Sequence, residues 1–252
     1  GPEFHINTYT TGDQGNPHVC VDADGNFVVV WNGPGVRGRR FDAAGIPLAD
    51  EFVIQTSIFS TSRAHIACGP DGSFVVAWGT GDVFARRYDA SGMPLDQAFM
   101  VNTFTTGEQY EPTVAVNASG QFVVVWTDYD GRDGSGEGVF GRRFDASGTP
   151  AGDDFQVNSY TTGYQGRPEV DIASGGDFVV VWKNDYGFEP VTARRFDAMG
   201  NPAGSEITVN SVNSRLSRGI LDVSLTPDGF VVAWPGKDYG MTIFGRHFGT
   251  YA

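Results

Sequence analysis

A five-residue run of apolar and aromatic residues, Phe122-Val-Val-Val-Trp126 in one copy, occurs five times along this chain of 252 residues. Each copy ends at a tryptophan, and together they account for every tryptophan in the sequence: Trp31, Trp78, Trp126, Trp182 and Trp234. The copies follow one another at intervals of about 50 residues, a repeat length typical of β-propeller blades. A short run of β-branched and aromatic residues predicts a strand buried on both faces. The repeat therefore predicts a ring of similar β-sheets.

Each repeat contains four predicted strands, which we call D, A, B and C in chain order, with the apolar run as strand B. Asp-Gly pairs such as Asp24-Gly25 predict tight hairpins between strands A and B. The chain begins with a D strand at residues 3–7 and its last predicted strand is of type C. The N-terminal strand is therefore predicted to complete the last blade beside Ile243 to Phe248, which closes the ring.

The predicted fold is all-β: a five-bladed β-propeller with four antiparallel strands per blade. It forms a single domain over residues 3–252, with Gly1-Pro2 expected to be a remnant of tag cleavage. A β-sandwich is the alternative architecture.

The repeat unit resembles those of known propellers. Its clearest copy reads Gly-Val-Phe-Gly-Arg-Arg-Phe-Asp-Ala-Ser-Gly-Thr-Pro at 138–150, followed by Phe-Gln-Val-Asn-Ser-Tyr-Thr-Thr-Gly-Tyr-Gln at 155–165. Such units resemble repeats of large secreted or cell-surface bacterial proteins. The closing strand is similar to that of WD40 propellers, although their Gly-His and Trp-Asp motifs are absent. The resemblance implies an extracellular or bacterial cell-surface location and carries no catalytic residues.

Charge narrows the range of partners. The formal net charge is −13 and the sequence pI is about 4.5, so the surface repels nucleic acid and anionic lipid. No apolar run approaches the roughly 18 residues of a transmembrane span, so no membrane insertion is expected. Cys20 and Cys68 lack metal-site spacing. They lie where neighbouring blades could bring them together, but buried free thiols are the expected state.

We expect a non-enzymatic extracellular binding or adhesion module, monomeric as an isolated domain, whose partner is a glycan or another cell-surface ligand. A multivalent lectin is the first alternative, because three blades repeat the loop Thr-Thr-Gly-x-Gln and hydroxyl and amide groups can bind sugar hydroxyls. The candidate glycan-binding residues are Thr11, Gln14, Thr106, Gln109, Thr162, Gln165, Trp31, Trp126 and Trp182. The structural alternative is that the Thr and Gln residues satisfy the loop backbone and that the tryptophans belong to the core.

One loop predicts a metal. Asp128, Asp130 and Asp133 place carboxylates close together in a glycine-rich segment, an arrangement that suits calcium. The spacing departs from the calcium-loop motif by one residue, so a solvated acidic loop remains the alternative. No other cofactor is predicted.

A glycosidase is the second functional alternative. The start of strand A carries a ring of candidate residues: His18, His65, Thr113, Glu169 and Asp222. If strand A is innermost, these residues surround the mouth of a central channel, with Asp171 two residues beyond Glu169. Five-bladed glycosidases place acids around such a mouth, and paired carboxylates can perform acid–base chemistry. A polar, hydrated channel entrance is the structural alternative.

Overall fold

The computed structural model describes residues 1–56, 63–184, 190–210, 221–237 and 241–249. Within these ranges the chain forms 19 strands, no helix, and five antiparallel sheets in which the strands follow chain order. No helix that could cross a membrane is therefore found in the described residues.

Each sheet is one blade of strands A to D. Blade 1 contains β1 (Gly15–Val21), β2 (Phe27–Gly33), β3 (Gly35–Phe41) and β4 (Phe52–Gln55). Blade 2 contains β5 (His65–Cys68), β6 (Phe74–Gly79), β7 (Val83–Tyr88) and β8 (Phe99–Met100). Blade 3 contains β9 (Gln109–Val116), β10 (Phe122–Asp128), β11 (Gly138–Phe144) and β12 (Phe155–Gln156). Blade 4 contains β13 (Gln165–Ile172), β14 (Phe178–Asn184), β15 (Val191–Phe196) and β16 (Ile207–Thr208). Blade 5 contains β17 (Asp222–Thr226), β18 (Gly229–Lys237) and β19 (Met241–Gly249).

The first strands of the blades line the centre of the molecule. Strand β5 contacts β1 on one side and β9 on the other, and β13 likewise contacts β9 and β17. Successive blades therefore meet through their strand A, as expected of innermost strands around an axis. This arrangement confirms the predicted five-bladed β-propeller.

The core lies between blades. Because successive residues of a strand point to opposite faces, the apolar run buries its odd positions against one neighbour and its even positions against the other. Phe122, Val124 and Trp126 of blade 3 pack against blade 2. Val123 and Val125 pack against Phe178, Val180 and Trp182 of blade 4. Both faces of the strand are thus buried, as the sequence predicted.

The repeated Arg-Arg pair of strand C also connects blades. The first arginine reaches backwards: Arg142 Nη1 of blade 3 donates to the carbonyl of Val101 at 2.9 Å. The second reaches forwards: Arg143 Nη1 donates to the carbonyl of Ala198 in blade 4 at 2.7 Å. Both bonds go to backbone groups, which every repeat supplies whatever its side chains. Their role is therefore architectural.

The N-terminal segment differs from its prediction. Residues 3–7 form no strand, and within the described ranges β19 pairs only with β18, so blade 5 has three strands. The segment is fixed to blade 1 instead: Arg39 Nη1 donates to the carbonyl of Ile6 at 2.9 Å, and the rings of Phe4 and Phe41 lie 5.6 Å apart. Ile6 packs onto the apolar face of blade 1.

These contacts repeat those of the true outer strands. Arg142 bonds Val101, Arg194 bonds Val157 and Arg246 bonds Val209 in the same way. Residues 3–7 therefore occupy the place of an outer strand relative to blade 1, without its ladder. The ladder itself is weak elsewhere, because β8, β12 and β16 are each two residues long. Contacts with the next blade, rather than strand pairing, position this part of each repeat.

Deleting residues 3–7 should destabilise blade 1, because it removes the apolar cover of Ile6 and the acceptor of Arg39. Burial of one such side chain is worth about 2 kcal/mol, so we expect the Tm to fall by about 5 °C in calorimetry. Deleting only Gly1 and Pro2, which are exposed, is the control. Equal melting temperatures for the two deletions would contradict the role given to this segment.

A disulfide joins the innermost strands of blades 1 and 2. Cys20 on β1 and Cys68 on β5 are bonded, with Cα atoms 5.4 Å apart. The expectation of free thiols is therefore wrong. The two residues can meet because β1 and β5 are neighbouring innermost strands that contact each other.

Replacing both cysteines by serine should lower stability without changing the fold. The bond spans 48 residues of sequence. In the chain-entropy account a loop of that length contributes up to about 4 kcal/mol, which corresponds to roughly 10 °C in Tm. Dithiothreitol should lower the Tm of the wild type by a similar amount and leave the double variant unaffected. Two reactive thiols in the denatured, unreduced wild type would show that the bond is absent.

Candidate active site

The predicted channel residues occupy equivalent places on the five innermost strands. Each lies opposite the fourth residue of its blade's apolar run: His18 opposite Val30, His65 opposite Ala77, Thr113 opposite Val125, Glu169 opposite Val181 and Asp222 opposite Ala233. The register thus sets all five at one level of the channel. The sequence predicted these five residues as a ring at the start of strand A, and the register gives them equivalent positions there.

Three ring members meet across the channel. The imidazole centroids of His18 and His65 are 3.7 Å apart. His65 Nε2 lies 3.5 Å from Glu169 Oε2. Since His65 belongs to blade 2 and Glu169 to blade 4, this contact passes in front of blade 3 and so crosses the channel.

The tautomer of His65 follows from its neighbours. The backbone N–H of Val114 donates to His65 Nδ1 at 3.3 Å, so that nitrogen is an acceptor and the ring proton sits on Nε2. The Nε2–H faces Glu169. Burial lowers the pKa of His65 to about 4, and burial together with the charge of His65 lowers that of His18 to about 4. Both rings are therefore neutral at pH 7.

The pKa of Glu169 is shifted upwards, in contrast to the lowered pKa values of the two histidines. Burial raises its pKa to about 8, and the negative charge of Asp222 adds to the rise, while His18 opposes it. Its side chain is 17% exposed, so it remains within reach of a ligand. Glu169 is thus protonated at neutral pH and can donate a proton, whereas Asp222 on the next blade is exposed to solvent. A protonated carboxyl beside a second acid is the arrangement that acid–base catalysis needs.

Asp171 contributes to structure. Its Oδ2 accepts a hydrogen bond from the backbone N–H of Leu225 at 2.7 Å, which ties blade 4 to blade 5. Its Oδ1 accepts from the N–H of Ile172 at 2.8 Å. This carboxylate is therefore engaged by backbone donors below the ring.

A second group of charges, missed by sequence reasoning, lies two residues before the ring. Glu111 precedes Thr113 and Arg167 precedes Glu169 by this interval, and Arg167 Nε lies 3.5 Å from Glu111 Oε1. Their φ angles are 53° and 54°, in the left-handed region, where a non-glycine residue costs about 1–3 kcal/mol. Strand A is irregular in register here, which turns both residues out of the ladder. The available signal was the Pro that follows each of them.

The loop glutamines serve the backbone rather than a ligand. Gln109 and Gln165 are buried, and their Nε2 atoms donate to the carbonyls of Thr106 at 3.1 Å and Thr162 at 2.9 Å. Gln14 Nε2 donates likewise to the carbonyl of Thr11 at 3.2 Å. These hydrogen bonds agree with the structural alternative, in which the glutamines satisfy the loop backbone.

The tryptophans are core residues. Trp31, Trp126 and Trp182 are 4%, 0% and 1% exposed, so none offers a ring face for a sugar to stack on. Trp31 Nε1 donates to Gln14 Oε1 at 3.0 Å, and Trp182 Nε1 donates to Asn184 Oδ1 at 3.0 Å. Burial follows from parity, since the tryptophan shares the face of the first and third residues of its run.

The three loop aspartates do not converge on a common point. Asp128 Oδ1 accepts from the N–H of Asp130 at 3.3 Å, and Asp130 Oδ2 accepts from the N–H of Glu108 at 2.7 Å. Asp133 Oδ2 accepts from Asn158 Nδ2 at 2.9 Å. No cluster of three metal-ligating side chains occurs in the ranges that the structure describes. The calcium prediction gains no support from this geometry.

No protein-family model and no curated protein sequence matches this chain. Solved structures do match its fold. A protein of unknown function from Dyadobacter fermentans has a TM-score of 0.67 at 10% identity, over 97% of this chain and 81% of that one. An endo-arabinase from Bacteroides thetaiotaomicron has a TM-score of 0.55 at 13% identity, over 100% and 98%. The GH93 α-L-arabinofuranosidase of Fusarium graminearum, solved with arabinobiose, has a TM-score of 0.62 at 14% identity, over 95% and 83%. At these identities the likeness establishes the fold.

The comparisons contradict the prediction of a non-enzymatic adhesion module. Two of the matched structures described above, the endo-arabinase and the α-L-arabinofuranosidase, are glycosidases. The β-propeller part of the sequence resemblance is confirmed. The comparisons favour the second alternative, a glycosidase, over that prediction.

Replacing Glu169 by Gln should raise stability selectively at high pH. The folded-state pKa of Glu169, about 8, lies above its ordinary value of 4.5. Its ionisation therefore costs nothing below pH 4.5, destabilises the fold increasingly as pH rises to about 8, and has a constant effect beyond. Glu169→Gln removes this cost, so its Tm relative to wild type should be higher at pH 9 than at pH 4.5. Asp153→Asn, at an exposed turn, is the control, and a pH-independent difference for Glu169→Gln would contradict the assignment.

Proposed function

We propose that this protein is a glycoside hydrolase whose active site is the channel mouth formed by the innermost strands. The observation that carries the proposal is the pairing of a protonated Glu169 with a solvent-exposed Asp222 at one level of the ring, on neighbouring blades. Glycoside hydrolysis needs two carboxyl groups in these two protonation states. The glycosidases that share the fold support the same reaction class.

Glu169 acts as the general acid. Its proton passes to the glycosidic oxygen as the bond to the anomeric carbon breaks, and the leaving sugar departs as an alcohol. Neutral His65 faces Glu169 through Nε2–H and holds the carboxyl group in position. A carboxyl with a raised pKa retains its proton at the pH at which it must act.

Asp222 acts as the carboxylate partner. It stabilises the positive charge that develops at the anomeric carbon and assists the attacking water, or attacks the carbon itself. Its charge also raises the pKa of Glu169, so the two roles are coupled. The Cys20–Cys68 disulfide supports a secreted protein, since such bonds persist in oxidising compartments.

The reaction is tested with 4-nitrophenyl glycosides, starting from the α-L-arabinofuranoside, and with oligosaccharides of the same sugars. Asp222→Asn should lower kcat by roughly 10²–10⁴-fold on both substrate types. Glu169→Gln should cause a comparable loss on oligosaccharides but a smaller one on 4-nitrophenyl glycosides, because nitrophenolate departs without protonation. Wild-type activity should fall as pH rises through about 8, where Glu169 ionises.

Asp153→Asn serves as the matched control and should retain wild-type rates. Circular dichroism of each variant separates a loss of chemistry from a loss of fold. Absence of hydrolysis across furanosides, pyranosides and uronides, or full activity of a folded Glu169→Gln protein, would refute the proposed function.

A further inference from the structure

A layer of charged side chains lies directly above the catalytic ring. Arg63, Glu111 and Arg167 each stand two residues before a ring member, on three consecutive blades. Lys183 joins them from β14, where it is next to Arg167 because it pairs with Gly166 across the sheet. We call these four residues the mouth cluster. The charge of Arg63 acts on Glu169 as well as on Glu111, so the cluster adjoins the proposed acid.

The cluster concentrates positive charge. Three cations face one carboxylate among the described residues, in a chain of net charge −13 with only 17 basic residues. Lys183 is 5% exposed, and burial together with the charge of Arg167 lowers its pKa to about 8. Arg63 is exposed and the Arg167 side chain is 38% exposed, so two of the three cations are open to a ligand, while the buried Lys183 adds its charge from behind them.

These cations do not belong to the repeat. Nine of the 15 arginines belong instead to the repeated pair of strand C, whose members Arg142 and Arg143 bond backbone carbonyls of neighbouring blades. The equivalents of Arg63 are Asn16, Glu111 and Arg167, so the position changes from blade to blade. Architecture therefore does not require a cation at this place.

The backbone conformation also holds Glu111 and Arg167 in defined positions. Glu111 and Arg167 adopt φ angles of 53° and 54°, which turn their side chains away from the regular strand. Arg167 is fixed further by its own N–H, which donates to Thr127 Oγ1 at 3.1 Å. The guanidinium is thus held at the mouth by its backbone and by the Glu111 ion pair at 3.5 Å.

We propose that the mouth cluster is a subsite for the carboxylate of a uronic acid residue, next to the glycosidic bond that is cleaved. Arg63, Arg167 and Lys183 are the recognising residues, and Glu111 holds Arg167 in place. A guanidinium binds a planar carboxylate through two parallel hydrogen bonds, and Lys183 adds a point charge. This subsite deepens the proposed function, on which its link to cleavage rests, and makes acidic glycans the substrate class.

The test measures binding to the Glu169→Gln protein, in which cleavage is slowed. Calorimetry or NMR titration compares trigalacturonate with the neutral galactose trimer of the same linkage. We expect trigalacturonate to bind at least about tenfold more tightly, as expected for hydrogen bonds between charged groups. Adding Arg167→Gln or Lys183→Met should abolish this preference and leave affinity for the neutral trimer unchanged. Salt at 0.5 M should weaken only the acidic ligand.

Two further variants keep the outcome interpretable. Arg37→Gln removes the same charge on blade 1, where Arg37 pairs with Glu51 at 3.6 Å, and should keep the preference. Arg167→Lys retains the positive charge but lacks the planar guanidinium, so it should keep part of the preference for trigalacturonate. This variant controls for misfolding of the Arg167→Gln protein. Equal affinity for the two trimers, or a preference that survives both cluster substitutions, would overturn the subsite.

The subsite and the hydrolase can fail separately. Cleavage of neutral glycosides that depends on Glu169, without any preference for uronates, would leave the hydrolase standing and refute the subsite. Uronate binding lost in Arg167→Gln, with no cleavage of any glycan, would support the subsite and refute the hydrolase.

Discussion

The burial of strand B on both of its faces is the constraint on which the rest of this structure depends. In blade 3 the side chains of Phe122, Val124 and Trp126 fill one interface, and those of Val123 and Val125 fill the next. A single blade would leave both faces exposed, so it gains its stability only from neighbours. Each interface is therefore shared between two repeats, and blade geometry must stay nearly constant along the chain.

The constant geometry of the blades determines which positions can carry different side chains from blade to blade. Strand A lies at the axis, and its upper residues face the channel rather than another sheet. Those positions are free of the demand for apolar packing that fixes Val124 or Val180. One residue per blade then suffices to assemble His18, His65, Glu169 and Asp222 from four different repeats. Confinement by the surrounding sheets excludes bulk water, which lowers the pKa of the histidines and raises that of Glu169.

The sequence predicts those features of the fold that follow from the repeat of strands along the chain. The count of repeated strands predicted five blades, and the common start of strand A predicted the ring of the channel. It left alternatives open where the answer depends on the three-dimensional path of a side chain. Trp126 was considered for sugar stacking, although its parity with Phe122 already assigned it to the core. Gln109 was a candidate for glycan binding with a structural alternative, and in the fold it is buried and its amide donates to the carbonyl of Thr106. The Cys20–Cys68 bond needed the distance between neighbouring strands, which no periodicity supplies.

Comparison of the five repeats distinguishes residues that the fold requires from residues that it does not require. The comparison is informative at single strand positions and less so for whole motifs. The Arg-Arg pair recurs and connects blades through backbone carbonyls, and the Thr-Thr-Gly-x-Gln loop, although present in only three blades, also satisfies backbone groups. When several residues of a motif recur together, they share a local conformation. Their repetition therefore indicates a structural role. The channel positions behave otherwise: one strand place holds His, His, Thr, Glu and Asp, while the backbone around it stays the same. Because the scaffold accommodates any of these side chains there, packing of the blades does not explain why this chain places His18, His65 and Glu169 together, with the pKa of each shifted by burial.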